Sequence, residues 1–186
     1  MNELVICKSC GFVMEKPGLK DKCPACGVLA RMFEPYVDRM APSRRRILKL
    51  DLHPILVHFT QAFTATIPVL GLLTFVCSPQ VQASLRGAIT VLSAALPLVV
   101  LLTFLAGLLD GKIRFRRVTT PLLKTKILCG LSLLVCSIAI LLVVVLRAQM
   151  DTTTIASILA LSVPAVACST YLALLGVRLT NSAFPG

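Results

Sequence analysis

Two architectures are predicted in one chain of 186 residues: a small head organised by four cysteines, then an all-α bundle of four transmembrane helices. Three observations predict them. The chain is 56% hydrophobic and only 15% charged, with no Trp. A soluble domain carries about a quarter charged residues, so an ordinary soluble globule is excluded, as are a disordered chain and a coiled coil. The charge is also uneven, because residues 1–51 hold 10 of the 19 Lys and Arg and 6 of the 8 Asp and Glu. Finally, four of the eight cysteines fall in that polar head at paired spacing, while the other four are scattered through apolar runs. The expected division is a head over 1–36, a basic linker over 37–51 and a membrane domain over 52–180.

The head comes first in the chain. It reads Cys7-Lys-Ser-Cys10-Gly11, twelve intervening residues after Cys10, then Cys23-Pro24-Ala-Cys26-Gly27. A gap of two residues lets both thiolates of a pair reach one ion. The glycine frees the backbone so that amide N–H groups can approach the sulfurs and stabilise the anionic site. Four thiolates suit tetrahedral zinc or iron. A head of some 36 residues is too short to build a sufficient apolar core, so a bound metal would supply much of its folding energy. Cytoplasmic placement, argued below, speaks against disulfides.

The linker carries Pro35 at its border, Pro42, and the basic residues Arg39, Arg44, Arg45, Arg46 and Lys49. This composition suits a short tether lying on anionic lipid headgroups.

The membrane helices follow from the gaps between charges. No Asp, Glu, Lys or Arg occurs between Asp51 and Arg86, Arg86 and Asp110, Lys126 and Arg147, or Asp151 and Arg178. Crossing the hydrocarbon core takes about 20 apolar residues. The gaps predict spans near 54–77, 87–109, 122–146 and 155–177. Pro68, Pro97 and Pro164 fall inside three of them and are expected to kink those helices. Thr119-Thr120-Pro121 offers a hydroxyl cap and a proline in the first turn of the third span. Lys124 and Lys126 lie just after it, positioned to snorkel to the headgroups. Cys77, Cys129, Cys136 and Cys168 lie in the spans and read as small packing residues.

Basic residues also set the orientation. They crowd the stretch before the first span and the loop between the second and third (Lys112, Arg114, Arg116, Arg117), whereas the other two loops carry only Arg86 and Arg147. The positive-inside rule then places the N-terminus, the middle loop and the C-terminus in the cytoplasm of a bacterial inner membrane. Met1-Asn2-Glu3-Leu4 lacks the basic start of a signal peptide, so the first span is expected to direct insertion. The net charge of +11 is thus mainly a topology signal. Because the basic residues flank hydrophobic spans, no nucleic-acid surface is expected.

His53 and His58 are the only two histidines, both at the start of the first span. Ionisable groups at membrane depth are by default functional candidates, for haem, metal or a quinone headgroup. Positions five apart are about 140° apart around a helix, so the pair cannot bracket one haem. A bis-histidine haem would need a second copy of the chain in a homo-oligomer. Asp110 closes the second span at the same membrane side. His53, His58 and Asp110 therefore form a candidate polar cofactor-binding cluster, in which the carboxylate could orient an imidazole. The alternative for Asp110 is a surface pair with Lys112 or Arg114.

At two places the chain resembles known families. Val5-Ile6-Cys7-Lys-Ser-Cys10-Gly11-Phe12-Val13, Lys22-Cys23-Pro24-Ala-Cys26-Gly27 and Phe33-Glu34 resemble a β-rich rubredoxin-like domain. The short spacer is closer to the C-terminal module of rubrerythrins than to free rubredoxin. The resemblance implies a mononuclear Fe(Cys)4 centre at Cys7, Cys10, Cys23 and Cys26, cycling between Fe3+ and Fe2+. Ile6 stands where the family often has an aromatic. The same ligands also suit the zinc of a zinc ribbon. His53-Pro54-x-x-Val57-His58-Phe59 with Ala106-Gly107-Leu-Leu-Asp110 resembles an uncharacterised bacterial four-helix membrane family. There a further histidine is expected near the start of the third span, where this chain has Lys124-Thr-Lys126.

The reading that results is a membrane-anchored electron-transfer protein rather than an enzyme. No serine sits in a nucleophile motif and the head has no histidine. Its partners would be membrane lipid and a redox protein or quinone. The alternative is a zinc-ribbon docking module on a multi-span anchor, without redox activity. Over residues 1–36 the head has five basic and four acidic residues, or +1. Four thiolates around a divalent ion bring that to about −1.

Overall fold

A computed structural model describes residues 3–37, 41–115, 120–147 and 149–180. The predicted linker and loop residues Arg39, Arg116, Arg117 and Thr119 lie outside the described residues. The chain divides into two compact units, with the boundary between Arg45 and Arg46.

The first unit is a three-stranded antiparallel sheet built from β1 (Leu4–Cys7), β2 (Val13–Glu15) and β3 (Phe33–Tyr36), in the order β2-β1-β3. Alternation along β1 turns Val5 and Cys7 inward and leaves Leu4 and Ile6 half-buried. The register sets Val5 opposite Met14 and Pro35, and Cys7 opposite Phe33. Pro35 is tolerated because β3 is an edge strand, where a missing N–H breaks no central ladder. Among the described residues of this unit, the fully buried apolar side chains are Val5, Cys7 and Cys23. Two of those three are thiols of the metal cluster, so the core of the head and its metal site are largely the same atoms.

A short helix, α1 (Pro42–Leu48), forms within the stretch read as linker. Proline suits its first turn, where the absent N–H is no loss. The chain then breaks at Asp51, whose φ of 47° is left-handed. Aspartate visits that region more readily than most residues.

The second unit holds α2 (Leu52–Leu73), α3 (Pro79–Phe115), α4 (Pro121–Leu146) and α5 (Thr152–Thr180). All four are long and apolar enough to cross a membrane. Each packs on its sequence neighbour and α5 closes back on α2, an up-down-up-down bundle joined by short loops. Its core runs through Ile67, Ile89, Leu96, Val100, Leu133, Ile140, Ile158 and Ala165. Small hydroxyl residues are buried beside them, among them Thr64, Ser93, Ser137 and Ser162, while Ile55, Phe59, Val91, Leu128, Val135 and Val163 point outward. Large aliphatic side chains thus occupy both the core and the outer faces, with these small hydroxyl residues on the inside, as suits helices packed in lipid. Thr64, Ser137 and Ser162 satisfy their hydroxyls by donating to the carbonyls of Thr60, Leu134 and Ile158 of their own helices. Between α2 and α3, the Thr60 hydroxyl lies 2.7 Å from that of Thr103, which donates in turn to Val99 O at 2.8 Å.

Helix ends show where local chemistry acts. Pro68, Pro97 and Pro164 lie inside α2, α3 and α5. Beyond Leu73 the N–H groups of Phe75 and Val76 bond back only three residues, to Leu72 and Leu73. The last turn tightens and stops before Pro79, which disfavours helix at the residue preceding it. α3 has 37 residues, about 55 Å at 1.5 Å each, well beyond the 30 Å hydrocarbon core. It continues past Asp110 through Lys112 and Arg114, cations that suit the negative end of a helix dipole. The hydroxyl cap expected before α4 does not form: Thr120 occupies the cap position, but its side chain makes no capping bond, and Pro121 starts the helix by its fixed φ. α5 carries a cap not read from the sequence. Asp151 Oδ1 accepts the N–H of Thr154 at 2.8 Å, and Thr153 donates its hydroxyl to the same carboxylate. These hydrogen bonds hold the Asp151 carboxyl down at about 2.

Candidate metal centre

The two cysteine loops of the head repeat one backbone design. In the first, the Cys7 N–H donates to Phe12 O at 2.9 Å and the Gly11 N–H to Cys7 O at 2.8 Å. In the second, Cys23 N–H donates to Val28 O at 2.7 Å and Gly27 N–H to Cys23 O at 2.9 Å. Each loop turns at its glycine, with φ of 74° at Gly11 and 77° at Gly27. Only glycine takes that conformation without steric cost. The first loop leaves the end of β1, and the Lys8 N–H donating to Met32 O ties it to the chain just before β3.

Together the loops bring Cys7, Cys10, Cys23 and Cys26 into one cluster, all four sulfurs within 4.8 Å of one another. Cys7 Sγ and Cys26 Sγ are 3.8 Å apart, as are Cys10 Sγ and Cys23 Sγ. Four donors at the corners of a tetrahedron with metal–sulfur bonds of about 2.3 Å stand about 3.8 Å from one another. The residues thus fit a single tetrahedral ion, and each loop contributes one sulfur to each close pair. The first cysteine of each loop is buried, whereas Cys10 is half-buried and Cys26 exposed.

The thiols are electrostatically unequal. Burial would raise the Cys23 thiol, but the N–H groups of Cys26 and Ala25 and the thiols of Cys26 and Cys10 bring it down to about 7. At Cys10 the Phe12 N–H favours the thiolate, yet burial and the thiols of Cys26, Cys7 and Cys23 outweigh it and push the group up to about 12. Four sulfurs this close share one negative charge readily and a second only with a cation among them. Lys8, beside the first loop, pairs with Glu34 Oε2 at 3.0 Å. Both partners are about half exposed, so the bridge adds little stability.

The membrane candidates separate. The His53 ring lies against the α3 backbone, its Nδ1 3.2 Å from Thr103 O. A Cβ on Gly107 would stand 2.8 Å from His53 Cε1, so only glycine admits the ring there. His53 and Asp110 line one cleft. His58 is exposed and bonds Pro54 O through Nδ1 at 2.7 Å, and it is not among the residues lining that cleft. Asp110 Oδ2 faces Arg114 Nε at 3.7 Å, one helical turn on. Lys126 of α4 is half-buried and within electrostatic range of Asp110, Arg114 and His53. In sequence it read as a snorkelling lysine, in the segment where the resembled membrane family has a further histidine. Its signal was its place on a third helix at the level where the first two carry His53 and Asp110.

Residues 6–34 match the family described as the rubrerythrin, rubredoxin-like domain. The chain is therefore a rubredoxin-like module followed by four helices long and apolar enough to span a membrane. No curated relative and no solved structure matches this chain.

Proposed function

We propose that this chain is a membrane-anchored one-electron carrier, with a mononuclear Fe(Cys)4 site on the cytoplasmic face of a bacterial inner membrane. The observation that carries the reading is the preformed set of four sulfurs with Cys26 exposed and Cys10 half-buried. Iron held there would supply reversible one-electron chemistry. The chain's own residues supply the rest. Cys7 and Cys23 take their side of the site out of water, which limits ligand exchange. Backbone N–H groups at Ala25, Cys26 and Phe12 favour sulfur charge. The exposed Cys26 provides a short route to a docked partner, a redox protein or a membrane quinone. A redox site with a rigid, preformed ligand set needs little reorganisation when its charge changes, in keeping with two loops each fixed by paired backbone hydrogen bonds.

Orientation rests on the basic loops. Lys112, Arg114, Lys124 and Lys126 lie at the α3–α4 end of the bundle, and Arg86 and Arg147 at the opposite end, which favours the first end inside. Zinc suits the same four sulfurs, and with zinc the head would be a docking module without redox activity. Purification from the native host separates the two. The proposal expects a red protein with visible sulfur-to-iron charge-transfer bands that bleach with dithionite. A colourless protein with one zinc per chain overturns it.

A further inference from the structure

Cations from three helices gather at one level of the bundle. Ile47 and Leu48 of α1 line a cleft together with Leu109 and Ile113 of α3. That shared lining sets the neighbouring Arg46 and Lys49 level with the last turns of α3. A Cβ on Gly111 would stand 3.8 Å from Leu123 Cδ2, so α4 starts at the same level and brings Lys124 to the height of Lys112. All of these residues, from Arg46 onward, belong to the second unit. The level is where the uncharged run of α2 begins and that of α3 ends, which is headgroup depth for a spanning bundle.

The charge of this belt is one-sided. Arg46, Lys49, Lys112, Arg114, Lys124 and Lys126 stand against Asp51 and Asp110, a net charge of +4. At the opposite end Arg86, Arg147 and Asp151 leave +1. Asp110 is already shared between Arg114 at 3.7 Å and the half-buried Lys126, which lies within electrostatic range. Arg46, Lys49, Lys112 and Lys124 are exposed, and among the described residues none of them pairs with a carboxylate. Exposed aliphatic side chains lie between them, with Ile47 at 43%, Leu50 at 58% and Leu122 at 45%.

A phosphate on hydrocarbon chains satisfies both features, because the phosphate meets the cations and the chains meet the aliphatic groups. An acidic soluble protein would satisfy the cations alone, and it would have to displace headgroups from this depth. The cleft itself has room for about one water, so the partner lies across the exposed side chains outside it.

We propose that this belt binds an anionic phospholipid, its phosphate bridged between a cation of the α1 segment, Arg46 or Lys49, and one of the α3–α4 end, Lys112 or Lys124. Bound in this way, the lipid fastens α1 to the end of the bundle. The proposal needs neither iron nor zinc and stands apart from the electron-transfer reading.

The test uses the full chain in dodecyl maltoside micelles. Micelles have no inside, so a change of membrane orientation cannot mimic a change of affinity. Binding of tail-labelled phosphatidylglycerol is followed by fluorescence anisotropy, with tail-labelled phosphatidylcholine as the reference. A juxtamembrane cation beside a phosphate is worth about a fivefold change in affinity, so two of them predict a preference of about 30-fold for phosphatidylglycerol at low salt. High salt should remove most of that preference. Arg46→Gln with Lys49→Gln should cut it about fivefold, and Lys112→Gln with Lys124→Gln should do the same. All four side chains are exposed, so neither pair of changes threatens the fold. Arg147→Gln, at the opposite end, should leave the preference unchanged. Equal affinity for the two lipids, an undiminished preference in either pair, or the same loss in Arg147→Gln would overturn the proposal.

Discussion

Replacing Gly11 by alanine asks whether the loop backbone, and not only its thiols, holds the metal. Gly11 and Gly27 have φ of 74° and 77°. A Cβ at either position meets nothing within 4 Å, so no neighbour is crowded and the whole cost is conformational. For a residue other than glycine that cost is roughly 1–2 kcal/mol. With Val5, Cys7 and Cys23 the only fully buried side chains among the described residues of the head, ordering the loops and binding the ion are one equilibrium. The cost then appears as metal affinity about 5- to 30-fold weaker for Gly11→Ala. The same is expected of Gly27→Ala. The double variant should lose about 30- to 900-fold if the loops act independently, and a departure from that product measures their coupling through the shared ion. Gly11→Asn should lose less than Gly11→Ala, because asparagine tolerates left-handed backbone. Gly18 is the control: its φ is not positive and a Cβ would meet only the terminal methyl of Met14, at 3.3 Å. The assay is zinc release from the purified full chain to a competing chelator. Wild-type retention of zinc by Gly11→Ala, or an equal loss in Gly18→Ala, would refute the reasoning.

Other expected outcomes follow from the same geometry. Cys7→Ser and Cys26→Ser should each lower metal affinity roughly a hundredfold or more, whereas Cys129→Ser with Cys136→Ser, both in α4, should leave the metal content unchanged; metal analysis after dialysis distinguishes them. Chelator-driven zinc release should become easier from about pH 8 to about pH 6. The Cys23 thiolate, held near 7, is present above that value and protonated below it, and the proton then competes with the metal. Thr103→Val leaves the buried Thr60 hydroxyl without its partner across α2 and α3 and should cost about 1 kcal/mol in mixed-micelle unfolding. Asp151→Ala should lower the melting temperature of the bundle in detergent. The carboxyl is depressed to about 2 in the folded chain, so its contribution is full above about pH 4 and is lost as pH falls toward 2. The wild-type and Asp151→Ala melts should therefore converge in acid.

Much of this architecture is legible in the chain itself, for reasons that differ between the units. In the head, the ligands are local: a CxxC gap followed by glycine specifies its own turn, so Cys7, Cys10, Cys23 and Cys26 could be named before any tertiary contact was known. The bundle is legible as four uncharged runs, because lipid demands length and apolarity. Those runs say little about helix rotation, since every face of an all-apolar helix satisfies the same solvent. His53 turning onto Gly107 while His58 faces outward, and Lys126 coming near Asp110, depend on rotation and register. The Thr60–Thr103 contact joins residues 43 positions apart, a pairing no local pattern announces. The Asp151 cap is present in Asp151-Thr-Thr-Thr, but in the charge pattern the same aspartate marks the boundary of an uncharged run, which says nothing of its hydrogen bonds. α1 was hidden for a related reason: Pro42 and three arginines look like a tether until proline is recognised as a first-turn residue.

A carrier of this kind must hold among its four sulfurs an ion that accepts and returns a single electron. Coulometric titration of the full chain, purified from its native host membranes and followed by the ferric EPR signal and visible absorption, tests it most directly. One electron per chain is expected, taken up and released reversibly, with the ferric signal and the colour vanishing together on reduction. Zero electrons per chain in a preparation carrying one zinc per chain would contradict it.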